Sequence, residues 1–198
     1  MKDQKNLNQV FIMELLSARF FHDIAGSIGA IANSVEFLKE EDEAMRSQSI
    51  SLLDESSDDL MSKFKLLRQA YSFSDSNMSI ADTKINIAGY LARKKIALSW
   101  DLSHVYIENS ADIERINKII SNIVIICVSS MLEGHLISIK IENKLDISDF
   151  IVVKIHGEAR KVAIEPSALE IFARSYSGLL NTKNIQAYFL MMFINISI

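Results

Sequence analysis

Apolar positions near the N-terminus predict a long helix. They are separated alternately by four and three residues, which is the spacing of the packed stripe on a helix of a bundle or coiled coil. The members of this stripe are Ile24, Ile28, Ile31, Val35 and Leu38. The same spacing predicts a second helix that ends near residue 71, with the stripe Ile50, Leu53, Ser57, Leu60, Phe64, Leu67 and Tyr71. The acidic run at residues 40–43 marks its start, because carboxylates are stabilised near the positive end of a helix dipole.

The short connection between these helices predicts an antiparallel hairpin. A hairpin alone cannot bury both apolar stripes. We therefore expect a twofold dimer whose two hairpins form a four-helix bundle. The scarcity of helix breakers favours such long helices, since the chain has one proline and six glycines.

The hydrophobic pattern changes after the small polar segment at residues 72–79. Apolar residues at every second position predict strands, and apolar residues at intervals of three or four predict helices. The predicted strands are residues 80–87, 105–108, 135–142 and 149–155, with a turn at 144–148, and the predicted helices are residues 88–98, 111–132, 166–176 and 184–193. These elements predict an α+β sandwich with helices on one face of the sheet. The chain accordingly divides into a helical hairpin at residues 1–75 and an α+β domain at residues 76–198.

Composition and charge exclude several classes of function. The chain has 198 residues, of which 49% are hydrophobic, and a formal net charge of -4. This charge argues against a nucleic-acid binder, which needs a basic face. The single cysteine, Cys127, excludes a disulfide framework and a zinc site built from cysteines. The longest apolar runs are too short to span a bilayer, and the polar N-terminus has no signal-peptide pattern, so we expect a soluble cytoplasmic protein without a membrane partner.

His22 is the leading candidate for chemistry. It lies two positions before the stripe residue Ile24, about 200° around a helix, so it is predicted to point away from the bundle core. Gly26, Gly29 and Asn33 continue the face of His22. Each glycine inside a helix costs about 1 kcal/mol relative to alanine. The two glycines therefore suggest that the backbone of a partner protein approaches the histidine closely.

Two charged residues flank His22. Arg19, one turn earlier, places positive charge where an anionic group would arrive, and the carboxylate of Asp23 can orient the imidazole or accept its proton. Adjacent helical residues point about 100° apart, so the sequence leaves an Asp23–His22 hydrogen bond open. An exposed imidazole without a metal partner suits a nucleophile that attacks a phosphoryl group. From the residues alone, a surface histidine without a role, and glycines that serve helix packing, stay open as alternatives.

The remaining histidines are His104, His135 and His156, and their spacing is unlike that of metal ligands. No metal site is therefore predicted.

The stretch HDIAGSIGAI, followed by NSVEFL, resembles the phosphoacceptor helix of bacterial histidine phosphotransferases of the ChpT type. These proteins are dimeric relatives of the sensor histidine kinases. The matching residues are Arg19, His22, Asp23 and the run Gly29-Ala30-Ile31, while Ser27 stands where that helix usually has a proline. A helical hairpin followed by an α+β domain extends the likeness over nearly the whole chain. The resemblance implies that His22 is a phosphoacceptor.

The resemblance also implies a relay. The receiver domain of a hybrid histidine kinase would pass its aspartyl phosphate to His22, which would pass it to the receivers of response regulators. The resemblance further implies final acceptors like those of the alphaproteobacterial cell-cycle relay, namely a DNA-binding response regulator and a single receiver that governs proteolysis. The Mg²⁺ ion needed for transfer would lie in the acidic pocket of the receiver, so no cofactor is expected on this chain.

The second domain then resembles a degenerate ATP-binding domain of a kinase. Such domains carry two asparagines four residues apart on one helix, and here only Asn122 is present, with Ile126 at the other position. Their Asp-x-Gly-x-Gly turn is replaced by residues 156–159, HGEA. The resemblance therefore implies that the chain neither binds ATP nor phosphorylates itself. The alternatives are an autophosphorylating histidine kinase and a dimeric regulatory module that binds a partner without chemistry.

Overall fold

The computed structural model describes residues 2–39, 42–71, 78–102, 107, 109–143 and 151–195. Within these ranges the chain forms six helices and three strands. They are α1 (Lys2–Phe37), α2 (Glu43–Tyr71), α3 (Ile80–Arg93), β1 (Ala97–Asp101), α4 (Ser110–Ser130), β2 (Met131–Asn143), β3 (Ile151–Val162), α5 (Pro166–Phe172) and α6 (Ile185–Asn195). None of the helices in these ranges has both the length and the apolar composition that crossing a membrane requires.

Helices α1 and α2 form the antiparallel hairpin that the apolar stripes predict. Near the turn, Arg46 Nε donates to the Leu38 carbonyl at 3.3 Å. Further along, Ser27 Oγ donates to Asp59 Oδ2 at 2.7 Å, and Lys63 Nζ donates to Ser27 Oγ at 2.9 Å. Later residues of α2 thus contact earlier residues of α1, so the two helices are antiparallel.

Each apolar stripe of the hairpin is only partly covered. Leu67 is buried, and Ile24 and Ile31 are half-buried. Other stripe members are exposed on the single chain, namely Ile28, Val35, Ile50 and Phe64. The hairpin therefore leaves apolar surface uncovered, as expected for two helices that cannot bury both stripes between them.

Residues 80–87 form the first half of helix α3, so the strand predicted there is wrong. Ser79 caps this helix: its hydroxyl accepts from the Asp82 N–H at 3.1 Å, and its own N–H donates to the Asp82 carboxylate at 2.9 Å. This reciprocal capping box stabilises a helix start. The buried residues Thr83, Ile87 and Leu91 lie four positions apart, on one helical face.

The helix predicted at residues 88–98 is correct only as far as Arg93, because residues 97–101 form strand β1. Strand β1 pairs in parallel with β2, and β2 pairs antiparallel with β3, which gives the order β1-β2-β3. The β2–β3 pairing confirms the two paired strands predicted from the sequence. The strand predicted at 105–108, apart from Ile107, and the turn at 144–148 lie outside the described residues, as do residues 72–77 of the predicted linker.

One continuous core joins the hairpin to the second domain. Ile137, Ile139 and Ile141 point from β2 towards the helices, and the same cluster contains Leu66 and Ala70 of α2. Its remaining buried members are Leu67, Ile87, Leu91, Ile96, Ile116, Ile120, Val124 and Ile125. The C-terminal end of α2 is thus packed inside the core of the second domain. This packing fixes the position of the hairpin relative to the sheet.

Candidate functional site

His22 projects from the middle of α1 into solvent. Its side chain is 84% exposed, whereas Ile24 lies half-buried towards the core. The outward direction follows from the angular separation of the two residues on the helix. The imidazole is therefore accessible to a second protein.

Asp23 and Arg19 form a chain of contacts behind the imidazole. His22 Nδ1 lies 3.4 Å from Asp23 Oδ1, at the long end of hydrogen-bond distances. Arg19 Nε donates to the other carboxylate oxygen, Oδ2, at 3.1 Å. Arg19 Nη1 also donates to the carbonyl of Thr182 at 3.3 Å. The contact between Asp23 and the ring, which the sequence leaves open, is thus present, and it leaves His22 Nε2 facing solvent.

Gly26 and Gly29 leave open space beside His22. A Cβ atom built on either glycine would meet nothing within 4 Å, and both positions are exposed, as is Asn33. Within the described part of a single chain, these glycines therefore do not serve close helix packing. They give a bare helix surface that runs from His22 towards the hairpin turn.

A polar crevice of about 590 Å³ adjoins this bare surface. It lies between α1, α2 and the end of α3, and Gly26 contributes to its wall. Inside it, Asp59 accepts a hydrogen bond from Ser27 and contacts Lys63 Nζ at 2.6 Å, while Lys94 Nζ lies 3.7 Å away. Sequence reasoning missed this cluster. The i,i+4 spacing of Asp59 and Lys63 is visible in the sequence, but the pairing with Ser27 depends on the register of the hairpin.

The environment of Asp59 favours its charged form. Burial alone would raise the pKa of this carboxyl, but hydrogen bonds from Lys63 and Ser27, with the charges of Lys94 and Lys63, outweigh burial. The pKa of Asp59 therefore lies below its ordinary value. Asp59 thus places a fixed negative charge in the crevice, whose wall also contains Lys63 and the basic residues 93–95 at and just after the end of α3.

Asn122 is a buried residue of α4 whose side chain forms hydrogen bonds within the core. It is only 2% exposed, and its Nδ2 donates to the Ala70 carbonyl at 3.0 Å and to the Lys118 carbonyl at 2.8 Å. Its Oδ1 has no hydrogen-bond partner among the described residues. The amide of Asn122 thus connects α4 to the C-terminal end of α2.

Residues 156–159 lie inside β3, which continues to Val162 rather than ending at residue 155 as predicted. Gly157 pairs with Ile137 of β2, and a Cβ atom on Gly157 would lie 3.1 Å from the sulfur of Met131. The segment is therefore a paired strand packed against β2. His135 and His156 project from β2 and β3 as exposed residues.

One protein-family model matches more than half of the chain. The sequence model of the histidine phosphotransferase C-terminal domain matches residues 80–196, which contain α3 to α6 and exclude His22. No curated protein sequence matches the chain. Among solved structures, a bacterial phosphotransferase matches with a TM-score of 0.79 and 19% sequence identity, over 95% of this chain and 87% of that chain. At this identity the structural likeness shows the fold alone, and it includes the hairpin that the family model leaves out.

Proposed function

This chain belongs to the histidine phosphotransferase family, and from that membership we propose that His22 carries a phosphoryl group between the receiver domains of a cytoplasmic phosphorelay. The observation that supports this proposal best is the exposed imidazole of His22, which lies beside Asp23 and next to a bare helix surface. A receiver needs such room, because its phosphorylated aspartate must come within bonding distance of the ring.

In the proposed reaction, the receiver of a hybrid histidine kinase delivers an aspartyl phosphate. The lone pair of His22 Nε2 forms a bond to phosphorus, the bond between phosphorus and the aspartyl oxygen breaks, and its electron pair returns to the receiver carboxylate. Asp23 stabilises the proton on Nδ1 as positive charge develops on the ring. The reverse sequence passes the phosphoryl group to the aspartate of a response regulator, and each receiver supplies its own Mg²⁺.

The proposed docking surface is the helix face around His22. Gly26 and Gly29 let the backbone of the receiver approach, while Asn33 offers an amide at the far end of the face. Arg19 borders the face with a side chain that is 19% exposed. Its positive charge favours the approach of an anionic phosphoaspartate.

We propose further that two hairpins associate as a twofold dimer. The exposed apolar side chains of α1 and α2 support a second copy of the chain as the occupant of this surface, since both helices contribute to it. These side chains include Val10, Phe11, Met13, Phe21, Ile28, Val35, Met45, Ile50, Met61 and Phe64.

The chain is proposed to receive its phosphoryl group from a receiver and not from ATP. Asn122 supports this view, because its amide is buried and donates to the Ala70 carbonyl. The paired strand at Gly157 supports it as well. An autophosphorylating kinase and a non-catalytic binding module are the competing proposals.

A reconstituted relay separates these three proposals. A phosphorylated receiver with radiolabelled phosphate is incubated with the wild-type chain, His22→Ala and His156→Ala, and a response-regulator receiver is then added. His156 is the matched control, because it is also an exposed histidine, 73% accessible on β3. We expect label on the wild-type chain and on His156→Ala, and none on His22→Ala. Onward transfer through His22→Ala would contradict the phosphocarrier role, and labelling by ATP alone would favour the kinase.

A further inference from the structure

We propose that Arg19 is a positioning residue that connects the phosphoacceptor His22 to the second domain through the carbonyl of Thr182. This inference rests on the proposed function of His22. It assigns to the second domain a direct influence on the reacting imidazole, in addition to any part in docking.

The guanidinium of Arg19 contacts two elements that are far apart in the chain. Nε donates to Asp23 Oδ2 at 3.1 Å within α1, and Nη1 donates to the Thr182 carbonyl at 3.3 Å, in the connection between α5 and α6. The planar fork of a guanidinium holds two acceptors in a fixed relation. Arg19 therefore sets the position of the Asp23 carboxylate relative to the second domain.

The Thr182 carbonyl is itself held by a hydrogen-bonded turn. Asn184 is fully buried, and its Oδ1 accepts from the Asn181 N–H at 2.9 Å, while its Nδ2 donates to the Tyr176 hydroxyl at 2.9 Å. Asn181 Oδ1 accepts from the Lys183 N–H at 2.9 Å. These bonds fix the backbone on both sides of Thr182, so its carbonyl is a preorganised acceptor.

The contact with Arg19 gives the two carboxylate oxygens of Asp23 different partners. Arg19 occupies Oδ2, which leaves Oδ1 directed towards His22 Nδ1 at 3.4 Å. An ionised carboxylate only accepts hydrogen bonds. It therefore favours the tautomer of His22 with the proton on Nδ1 and the lone pair on Nε2. In this way Arg19 selects the nitrogen that attacks phosphorus.

A residue with a purely structural role would not change the tautomer of His22, so the tautomer is the decisive measurement. We measure it by ¹⁵N NMR on the imidazole of the unphosphorylated full chain, which requires no transfer activity. The wild-type chain is expected to carry the proton mainly on Nδ1. In Arg19→Gln, the Nε2–H form should increase, and kcat for phosphotransfer from a receiver should fall about tenfold, by a larger factor than KM rises through the lost positive charge.

A second variant tests the connection to the second domain. Asn181→Ala removes the acceptor for the Lys183 N–H at an exposed position, so the fold is retained while the turn loosens. It should shift the tautomer in the same direction as Arg19→Gln, by a smaller amount. The control is Arg160→Gln, which removes a guanidinium that contacts Glu133 at 3.1 Å in the sheet, and it should leave the tautomer unchanged.

Three results would overturn the inference: a wild-type imidazole protonated mainly on Nε2, an unchanged tautomer in Arg19→Gln and Asn181→Ala, or a rise in KM without a fall in kcat for Arg19→Gln. The last result would limit Arg19 to its electrostatic contribution to receiver binding, without a positioning role. Failure of the proposed function has a different signature, namely onward transfer through His22→Ala, and does not depend on the tautomer.

Discussion

Gly26 lies one helical turn from His22, where a side chain would be sterically free within the chain. A Cβ atom there meets nothing within 4 Å, so Gly26→Leu should raise the free energy of unfolding by about 0.5–1 kcal/mol. The same leucine should weaken receiver binding, because it occupies the space that the receiver backbone needs. Denaturant unfolding and isothermal titration calorimetry measure the two effects.

Gly89 provides the control for this prediction. It is an exposed helical glycine in α3, and a Cβ atom there also meets nothing within 4 Å. Gly89→Leu should give the same gain in stability and leave receiver binding unchanged. Equal binding by both variants would show that the bare surface near His22 is not a docking surface.

Asp59 makes the stability of the hairpin dependent on pH. Its pKa is lowered in the folded chain, so its contribution is fully present above its unfolded pKa of about 4 and is lost as the pH falls through the folded value. Asp59→Asn should lower the free energy of unfolding by about 1 kcal/mol at neutral pH, and the difference from wild type should shrink in acid. Urea unfolding across this pH range tests the prediction.

Asp58→Asn is the matched control, because Asp58 is a neighbouring carboxylate, 64% exposed and paired with Arg93. An exposed pair contributes little, so this variant should change stability by less than about 0.5 kcal/mol. A difference between Asp59→Asn and wild type that persists unchanged in acid would contradict the role assigned to the Asp59 charge.

At the scale of single elements, α4 is held against α2 by a side-chain amide. Asn122→Ala removes the donor to the Ala70 carbonyl at the end of α2, and with it a buried hydrogen bond. We expect the free energy of unfolding to fall by about 1–3 kcal/mol. Ser129→Ala, also in α4, loses an exposed hydroxyl that donates to the Ile126 carbonyl and should be nearly neutral. Equal stability of the two variants, measured by thermal unfolding, would contradict the assignment.

The elements that could be predicted from the sequence are those with a long, unambiguous period. Two stripes of alternating fours and threes predict α1 and α2, and the alternation in residues 135–142 predicts β2. The first half of α3, residues 80–87, is wrongly predicted as a strand because Ile85 and Ile87 alternate like strand residues, although Ile85 is exposed. The capping box of Ser79 and Asp82 was the signal that distinguishes the two structures.

Part of the candidate site could likewise be predicted from the sequence, and part of it could not. The outward direction of His22 follows from its angle to Ile24, which local helix geometry fixes. The contact of Arg19 with Thr182 joins residues 163 positions apart, so it depends on how α6 and its preceding turn pack against α1. Local patterns contain no information about such a contact.

At the scale of the whole molecule, the exposed apolar stripes of α1 and α2 allow the proposed dimer to be tested. Ile50 is 53% exposed on α2, and Ile50→Glu should convert the proposed dimer to a monomer, because it places a charge in an apolar interface. Ile85→Glu is the control, since Ile85 is 67% exposed on α3, outside the hairpin. Light scattering coupled to size-exclusion chromatography gives the mass, and a monomeric wild-type chain would contradict the dimer.

The burial of Leu66 and Ala70 among the side chains of the second domain has a mechanical consequence. A rotation of the second domain away from the hairpin would expose these side chains to water, at a cost of about 25 cal/mol for each Å² of apolar surface. We therefore expect the hairpin and the second domain to move together as one body, so that the surface around His22 keeps a single shape.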